Sequence, residues 1–344
     1  MRQDETALTG REAGDAVASP AAPGGERRLS RLAAEAPPWT GVAIVLVAMI
    51  IGLSVAQDVF LTWLNINNLL RGAAITLLLA IGSTFLLTTG MIDLSIGSML
   101  ALGTMILAGL MSLEVPIPIA VLGVVLAGAL LGGAVNGLLI AKARLSFFVV
   151  TLGTLALFRS AAEIPTEGLA VDLSERKGFA LVEWIGDGKI GPLSAPVLIA
   201  ALALVIAIVV SRYTNFGRAL YAVGGNERAA RLAGIPVDRV RIAAFTINGA
   251  LVGLAAVMFA GRIQSASPLI GAGIELNVIA AVLLGGTSFL GGAGSMAGTL
   301  LGVLFIAVLQ NGLNLLGVEV FWQGAITGVV LILAVWADRV RSRS

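Results

Sequence analysis

Polar side chains that could bind a solute are embedded in long apolar segments of this 344-residue chain. Amides and hydroxyls predominate among them, and these groups donate and accept hydrogen bonds without adding a net charge. Together they predict a partly polar cavity, although each one taken alone more commonly joins two helices or bonds to the backbone. The main candidates are Asp93, Asn136, Thr151, Thr154, Asn248, Asn277 and Asn311, and the same segments also contain Thr246, Gln310 and Asn314.

Asp93 differs from the other candidates because it is an acid. An ionised carboxylate at membrane depth is costly and is usually functional, which favours contact with a ligand. The residue also stands between TTGMI and LSIGSML, where it could cap the helix that follows. At the cytoplasmic edge of a membrane such a cap costs little, so the sequence leaves both roles open.

The chain contains no Cys and no His. These absences exclude disulfides, thiolate or imidazole metal sites, cysteine nucleophiles and histidine proton relays. A phosphate-binding loop of the form GxxxxGK[ST] is absent as well, because the nearest fragment, GDGKIG at 186–191, has the wrong spacing and no hydroxyl residue after its lysine. The chain is therefore not expected to bind ATP itself, and an intramembrane enzyme is a remote alternative.

A short polar element between two apolar stretches reads YAVGGNERAARLAGIPVDRVR, residues 221–241. Its adjacent glycines are expected to free the backbone, Asn226 is a good helix N-cap, and Glu227 suits the positive end of a helix. Gly234 is placed just past the helix end, and Pro236 blocks its continuation. A helix of about two turns is too short to be stable alone, so its own bundle or a partner must hold it. A basic loop that only fixes topology explains the arginines but not these caps, which favour the docking of a partner.

Hydrophobic residues make up 58% of the chain and charged residues 12%. A soluble domain is about half apolar and about a quarter charged, so this composition indicates a polytopic membrane protein. The apolar runs are continuous rather than alternating, which favours helices over a closed barrel. The 43 glycines suit close helix packing in lipid. The predicted fold class is therefore all-α, a polytopic transmembrane helical bundle.

About ten apolar segments come near the ~20 residues that a helix needs to cross the hydrocarbon core. The eighth of them is short and ends in the glycine-rich stretch LLGGTSFLGGAGS. Arg159, Arg262 and Glu275 are near span ends, where long side chains can snorkel to the interface. The predicted spans are 41–57, 69–89, 94–112, 117–141, 147–163, 195–211, 242–261, 275–290, 295–316 and 320–337.

The positions of Lys and Arg predict the orientation of the chain. Most of the 22 basic residues are in the N-terminal tail, at 142–144, in 212–241 and at the C-terminal end. Basic residues concentrate on the cytoplasmic side, so both termini are predicted to be cytoplasmic, with 212–241 as a cytoplasmic loop and about 164–194 as a periplasmic one. Residues 1–38 are predicted to be a disordered tail, and 39–340 the transmembrane domain.

Three motifs resemble the membrane subunits of ATP-binding-cassette importers. The stretch FGRALYAVGGNERAARLAGIPVDRVR is similar to their cytoplasmic coupling loop, and TTGMIDLSIGSMLALG at 88–103 resembles a motif of their ribose-type sugar branch. Residues 277–317 resemble the same branch. Within the 88–103 motif, Met91 stands where that branch often has a glycine. The resemblance, which covers about residues 40 to 338, implies that the ATPase-coupling residues are Asn226, Glu227, Arg228, Ala229, Arg231, Leu232 and Gly234.

The same resemblance implies a function and a set of partners. The chain would be the permease of an ATP-driven importer for a monosaccharide or related small polyol, multi-pass in a bacterial inner membrane. Its partners would be cytoplasmic ATPase subunits that bind ATP and Mg²⁺, a periplasmic sugar-binding protein, and a second permease chain, either an identical copy or a paralogue. No cofactor is expected in this chain, and no nucleic acid among its partners.

Two alternatives keep transport but change the energy source or the solute. A secondary transporter driven by protons or sodium would need an ion-binding cluster in mid-membrane, for which Asp93 and Glu275 give thin support. A permease of the same family could instead carry a branched-chain amino acid or a furanose signal. The DLSIGS stretch favours a sugar over an amino acid, by resemblance.

Overall fold

The computed structural model describes Pro37 and residues 39–341. The tail predicted for residues 1–38 therefore lies outside the described residues, apart from Pro37. The described part of the chain is a bundle of helices, as the sequence predicts. Its β structure is confined to two antiparallel pairs of two-residue strands: β1 Val171–Asp172 pairs with β4 Ser265–Ala266, and β2 Lys189–Ile190 pairs with β3 Leu193–Ser194.

Helices occupy most of each of the ten predicted segments. Among the described residues, six helices are long and apolar enough to cross a membrane, and four shorter apolar helices accompany them. A π-helical turn, Leu131–Gly137, joins α4 to α5. The first seven helices are α1 Thr40–Ala56, α2 Trp63–Thr88, α3 Ile96–Ser112, α4 Ile117–Leu130, α5 Leu138–Ala141, α6 Phe147–Glu163 and α7 Phe179–Asp187. The helices that follow are α8 Ala195–Tyr213, α9 Asn215–Gly225, α10 Glu227–Leu232, α11 Val237–Ile263, α12 Ile274–Leu284, α13 Met296–Leu315 and α14 Val320–Arg341.

The eighth predicted span, 275–290, is helical over a shorter range than predicted, because α12 ends at Leu284. Gly286 and Gly291 follow with φ of +85° and +91°, in the region that glycine adopts freely and other residues rarely. The chain therefore leaves the helix within the glycine-rich stretch that the sequence marks as a break.

A helix that the sequence analysis did not predict, α7, lies within the loop 164–194. It packs against α11 through glycines. A Cβ on Gly186 would lie 2.4 Å from the backbone nitrogen of Arg262, and a Cβ on Gly261 would lie 2.0 Å from the Val182 carbonyl oxygen. An ion pair between Arg71 and Asp187 also joins α7 to α2. The loop is thus built into one end of the bundle.

Helix α11 contacts α2, α3, α4 and α7, so it lies among the other helices rather than at the edge. It crosses α4 at glycines, because a Cβ on Gly249 would lie 2.0 Å from the Gly128 carbonyl oxygen. In return, a Cβ on Gly128 would lie 2.2 Å from the Gly249 carbonyl oxygen. The missing side chains let the two backbones touch, which is how helices pack closely in lipid.

Three segments meet backbone to backbone near α10, in a contact that we call the glycine junction: Gly90 after α2, Gly224 in α9, and Gly292 after α12. The Gly292 N–H donates to the Thr88 carbonyl oxygen at 2.9 Å. A Cβ on Gly224 would lie 1.9 Å from that same oxygen. The expectation that Gly224 frees the backbone was wrong, because the residue is helical and provides space for its neighbours instead.

Candidate functional site

Helix α10 has the caps that the sequence predicts. The side-chain oxygen of Asn226 accepts a hydrogen bond from the Ala229 N–H at 2.9 Å and so satisfies a donor of the first turn. After the helix, Gly234 has φ of +80°, and the Ile235 N–H donates to the Ala230 carbonyl oxygen at 3.0 Å. This is a Schellman cap, which a left-handed glycine makes possible.

Ion pairs attach α10 to the start of α11. Arg241 donates to Glu227 at 2.6 Å, and Arg231 donates to Glu227 at 3.0 Å and to Asp238 at 2.7 Å. The hydrogen bond from Arg241 holds the pKa of the Glu227 carboxyl below its usual range, although burial opposes it. Because the folded state lowers this pKa, the attachment is complete above the ordinary value of 4.5 and is lost as the pH falls through the lowered value.

The outward face of α10 is apolar and basic. Leu232 is 85% exposed, whereas Ala230 on the opposite face is buried against the bundle. Arg228 and Ala229 are exposed beside Leu232. A short helix that is fixed from behind and presents an apolar side chain among arginines is suited to dock a partner.

Asp93 lies in a buried polar cluster between the π-helical turn and α11, and is 3% exposed. Its carboxylate accepts hydrogen bonds from the Ser95 N–H at 2.9 Å and from Asn248 Nδ2 at 3.0 Å. Asn136 Nδ2 donates to the Ser95 hydroxyl at 2.9 Å and to both carboxylate oxygens at 3.4 Å. Asp93 does not cap α3 as the sequence suggested, because the N-cap residue of that helix is Ser95; its carboxylate instead accepts from the Ser95 N–H in the turn before the helix. Asp93, Asn136 and Asn248 thus contact one another in the interior.

Replacement of Asn136 with Leu is expected to destabilise the protein, because it removes donors from Asp93 and Ser95 in a buried place. The Ser95 hydroxyl oxygen loses its donor, and leaving a buried acceptor unsatisfied costs about 1–3 kcal/mol. Asp93 loses two long bonds but keeps those from Ser95 and Asn248. The check is the Tm of the detergent-solubilised variant against that of Thr246→Val, whose hydroxyl donates only to the Ile242 carbonyl oxygen of its own helix. Equal Tm values for the two variants would contradict the role of the cluster.

Thr151 and Thr154 share a face of α6, as their spacing predicts, and both are buried. Their hydroxyls donate to carbonyl oxygens of their own helix at 2.8 Å and 3.4 Å. Helix α6 packs against α3. Arg159, which the sequence places near a span end, donates to the carbonyl oxygens of Pro268 and Ile270.

A cavity of about 390 Å³ lies between α2, α11, α12 and α13. It brings together two of the predicted solute residues, Asn277 and Asn311. Arg262, which the sequence places near a span end, also lines it. The other polar lining residues are Asn68, Thr76, Gln310 and Asn314.

An apolar helical bundle that encloses polar side chains and holds a capped helix outside its spans has the construction of a membrane transport subunit. The family model described as "Branched-chain amino acid transport system / permease component" matches residues 65–335. The chain belongs to this family of transporter permeases. It is an integral membrane protein and a transport subunit rather than an enzyme.

Similar proteins cover almost the whole chain. It is 43% identical over 307 residues to the ribose import permease protein RbsC of Bacillus subtilis, across 89% of this chain and 92% of the relative. It is 38% identical over 295 residues to RbsC of Escherichia coli K12, across 86% and 92%. It is 36% identical over 302 residues to the L-arabinose ABC transporter permease protein AraH of Azospirillum brasilense, across 88% of each. No solved structure matches the chain. Permeases of this class work with ATPase and substrate-binding subunits.

Proposed function

We propose that the chain is the permease subunit of an ATP-driven importer for a monosaccharide or related small polyol. The observation that carries this proposal is its identity of 36% to 43% with permeases that are named for ribose and L-arabinose. The family description names branched-chain amino acids, but these individual relatives are named for sugars. The DLSIGS stretch at the start of α3 supports the same choice.

The proposed topology has about ten spans over residues 39–340, with both termini in the cytoplasm, in a bacterial inner membrane. The six long and four shorter apolar helices support this count. The arginines of 212–241 support the orientation, because basic residues concentrate on the cytoplasmic side. The loop 164–194, which contains α7, is then periplasmic.

The partners follow from what this chain would need for active import. In the proposal, two cytoplasmic ATPase subunits bind ATP and Mg²⁺. The lack of a phosphate-binding loop in this chain supports the assignment of ATP binding to other subunits. A periplasmic sugar-binding protein delivers the solute. A second permease chain, identical or a paralogue, pairs with this one.

The coupling residues 226–234 are proposed to receive the motion of the ATPase subunits. The ion pairs Glu227–Arg241 and Arg231–Asp238 connect α10 to α11, so a displacement of α10 acts on α11 directly. Helix α11 carries Asn248 of the buried cluster and, at its far end, Arg262 of the cavity. Movement of this helix would alternate the access of the solute path between the two sides of the membrane.

Reconstitution into vesicles tests the proposal. The permease, purified with its ATPase and supplied with the binding protein outside, is expected to accumulate labelled sugar only when ATP is present on the ATPase side. Ribose, L-arabinose and leucine form the solute panel, with leucine as the control for the amino-acid alternative. Uptake that continues without ATP and collapses with a proton or sodium gradient would support the ion-coupled alternative and overturn this one.

A further inference from the structure

The cavity between α2, α11, α12 and α13 adjoins a second cavity of about 290 Å³ beside α14. Asn277 on α12 and Gln310 on α13 line both of them. The two residues therefore form a polar wall between a cavity inside the bundle and one that α14 borders.

Three of the six amides and hydroxyls around the first cavity are already engaged. Asn311 and Asn65 exchange two side-chain hydrogen bonds at 2.8 Å and 3.0 Å. Asn314 accepts from Gln323 at 2.7 Å, and the Thr76 hydroxyl donates to a carbonyl oxygen of its own helix at 3.2 Å. These bonds hold the lining in place and leave little capacity for a solute.

Three lining amides have no side-chain hydrogen-bond partner within the part of the chain that the structure describes: Asn68, which is exposed, and Asn277 and Gln310, which are half-buried. An amide left without partners in an apolar bundle is costly, so a polar side chain kept there is suited to meet water or a polar solute. Each amide offers two donors and an acceptor, which matches hydroxyl groups that both donate and accept.

Arg262 adds a guanidinium to this wall. Asp187 forms an ion pair with Arg71, and no ion pair to Arg262 occurs among residues 39–341. Arg262 Nη2 donates to the Asn68 backbone carbonyl oxygen at 3.4 Å. Arg262 Nη1 lies over Gly72, 3.2 Å from where a Cβ would be, so the absence of a side chain there leaves room for the guanidinium. A guanidinium presents several N–H donors in a fixed plane, a geometry that suits adjacent hydroxyls.

We propose that Asn277, Gln310 and Arg262 form a contact site for the hydroxyl groups of a small polyol inside a single permease chain. The cavity volume is within the range of small-molecule sites, and apolar residues such as Phe259 and Val303 line the rest of it. This inference rests on the proposed function, and it assigns recognition to named residues of the permease in addition to the binding protein.

The test uses the complete complex of permease, ATPase and binding protein in vesicles, with ribose and L-arabinose as probes. Because the binding protein sets the affinity for external sugar, the quantity to measure is sugar imported per ATP hydrolysed at saturating loaded binding protein. Asn277→Leu and Gln310→Leu are each expected to lower this ratio about tenfold, the loss expected for one hydrogen bond to the solute. ATP hydrolysis is expected to stay within about twofold of the unchanged protein.

Thr76→Val is the matched control, because Thr76 lines the same cavity with a hydroxyl already bonded to its own helix. Its ratio is expected to match that of the unchanged protein. Asn277→Gln, which keeps an amide, is expected to retain most of the activity, and Asn277→Ala and Gln310→Ala replace the Leu variants if those do not assemble. Equal ratios for the amide variants and Thr76→Val would overturn the site. Failure of the unchanged complex to import either sugar would instead count against the proposed function.

Discussion

Leu232→Asp in α10 is expected to abolish association of the permease with its ATPase and, with it, ATP-driven uptake. Leu232 is the most exposed apolar side chain of a helix whose other face is fixed by ion pairs to α11. Burying a carboxylate without a partner in a docking surface removes the apolar contact and adds a desolvation cost. Loss of one central contact typically costs at least about 2 kcal/mol, or roughly 30-fold in affinity.

The measurement is co-purification of the ATPase with tagged permease from membranes, followed by uptake in vesicles. Leu232→Met is the control, because it keeps an apolar side chain of similar size at the same place and is expected to bind normally. Both variants should insert equally well, since Leu232 is 85% exposed. Normal recovery of the ATPase with Leu232→Asp would contradict the role of α10 in docking the ATPase.

Gly224→Ala is expected to disrupt the glycine junction and to prevent recovery of a folded permease. The added Cβ would lie 1.9 Å from the Thr88 carbonyl oxygen and 2.5 Å from the Gly292 nitrogen, both of them backbone atoms. Overpacking in a core usually costs about 1–3 kcal/mol, but that range assumes side chains that can move aside. Here two backbone segments would have to separate, so the cost is expected at or above the top of the range.

Gly225→Ala provides a close control for this prediction. Gly225 is the next residue of the same helix, and a Cβ on it would meet nothing within 4 Å. Alanine is the better helix former by up to about 1 kcal/mol, so this variant should be neutral or slightly stabilised. The readout is the amount of monodisperse protein after detergent extraction and its Tm. Similar recovery of the two variants would contradict the prediction, because it would show that the backbone segments of the glycine junction can move apart without loss of the fold.

The parts of this molecule that sequence could predict are those that depend on neighbours in the chain. The caps of α10 follow from Asn226 and Gly234, which act within a few residues of themselves. The apolar segments follow from composition, and the break after Leu284 follows from a run of glycines. Each of these features is decided by local backbone chemistry, which a single sequence displays.

The parts that could not be predicted depend on contacts between distant residues. Asp93 bonds to Asn136 and Asn248, which are 43 and 155 positions away, and no spacing rule connects them. Helix α7 has nine residues, too few to register as a span, and its place is set by its fit against α11. Gln310 and Arg262 share a cavity because α13 and α11 both pack against α2. The sequence shows that both residues are polar, but it does not show that they lie close together in space.

Helix α11 has 27 residues, which at about 1.5 Å per residue makes a rod of roughly 40 Å. Gly249, where the backbone of α4 touches it, is near the midpoint of that rod. The backbone of α7 touches the same rod at Gly261, beside its Arg262 end. A rod held at two points cannot pivot about one of them, so in the proposed coupling a displacement at the Arg241 end carries α4 and α7 along with it.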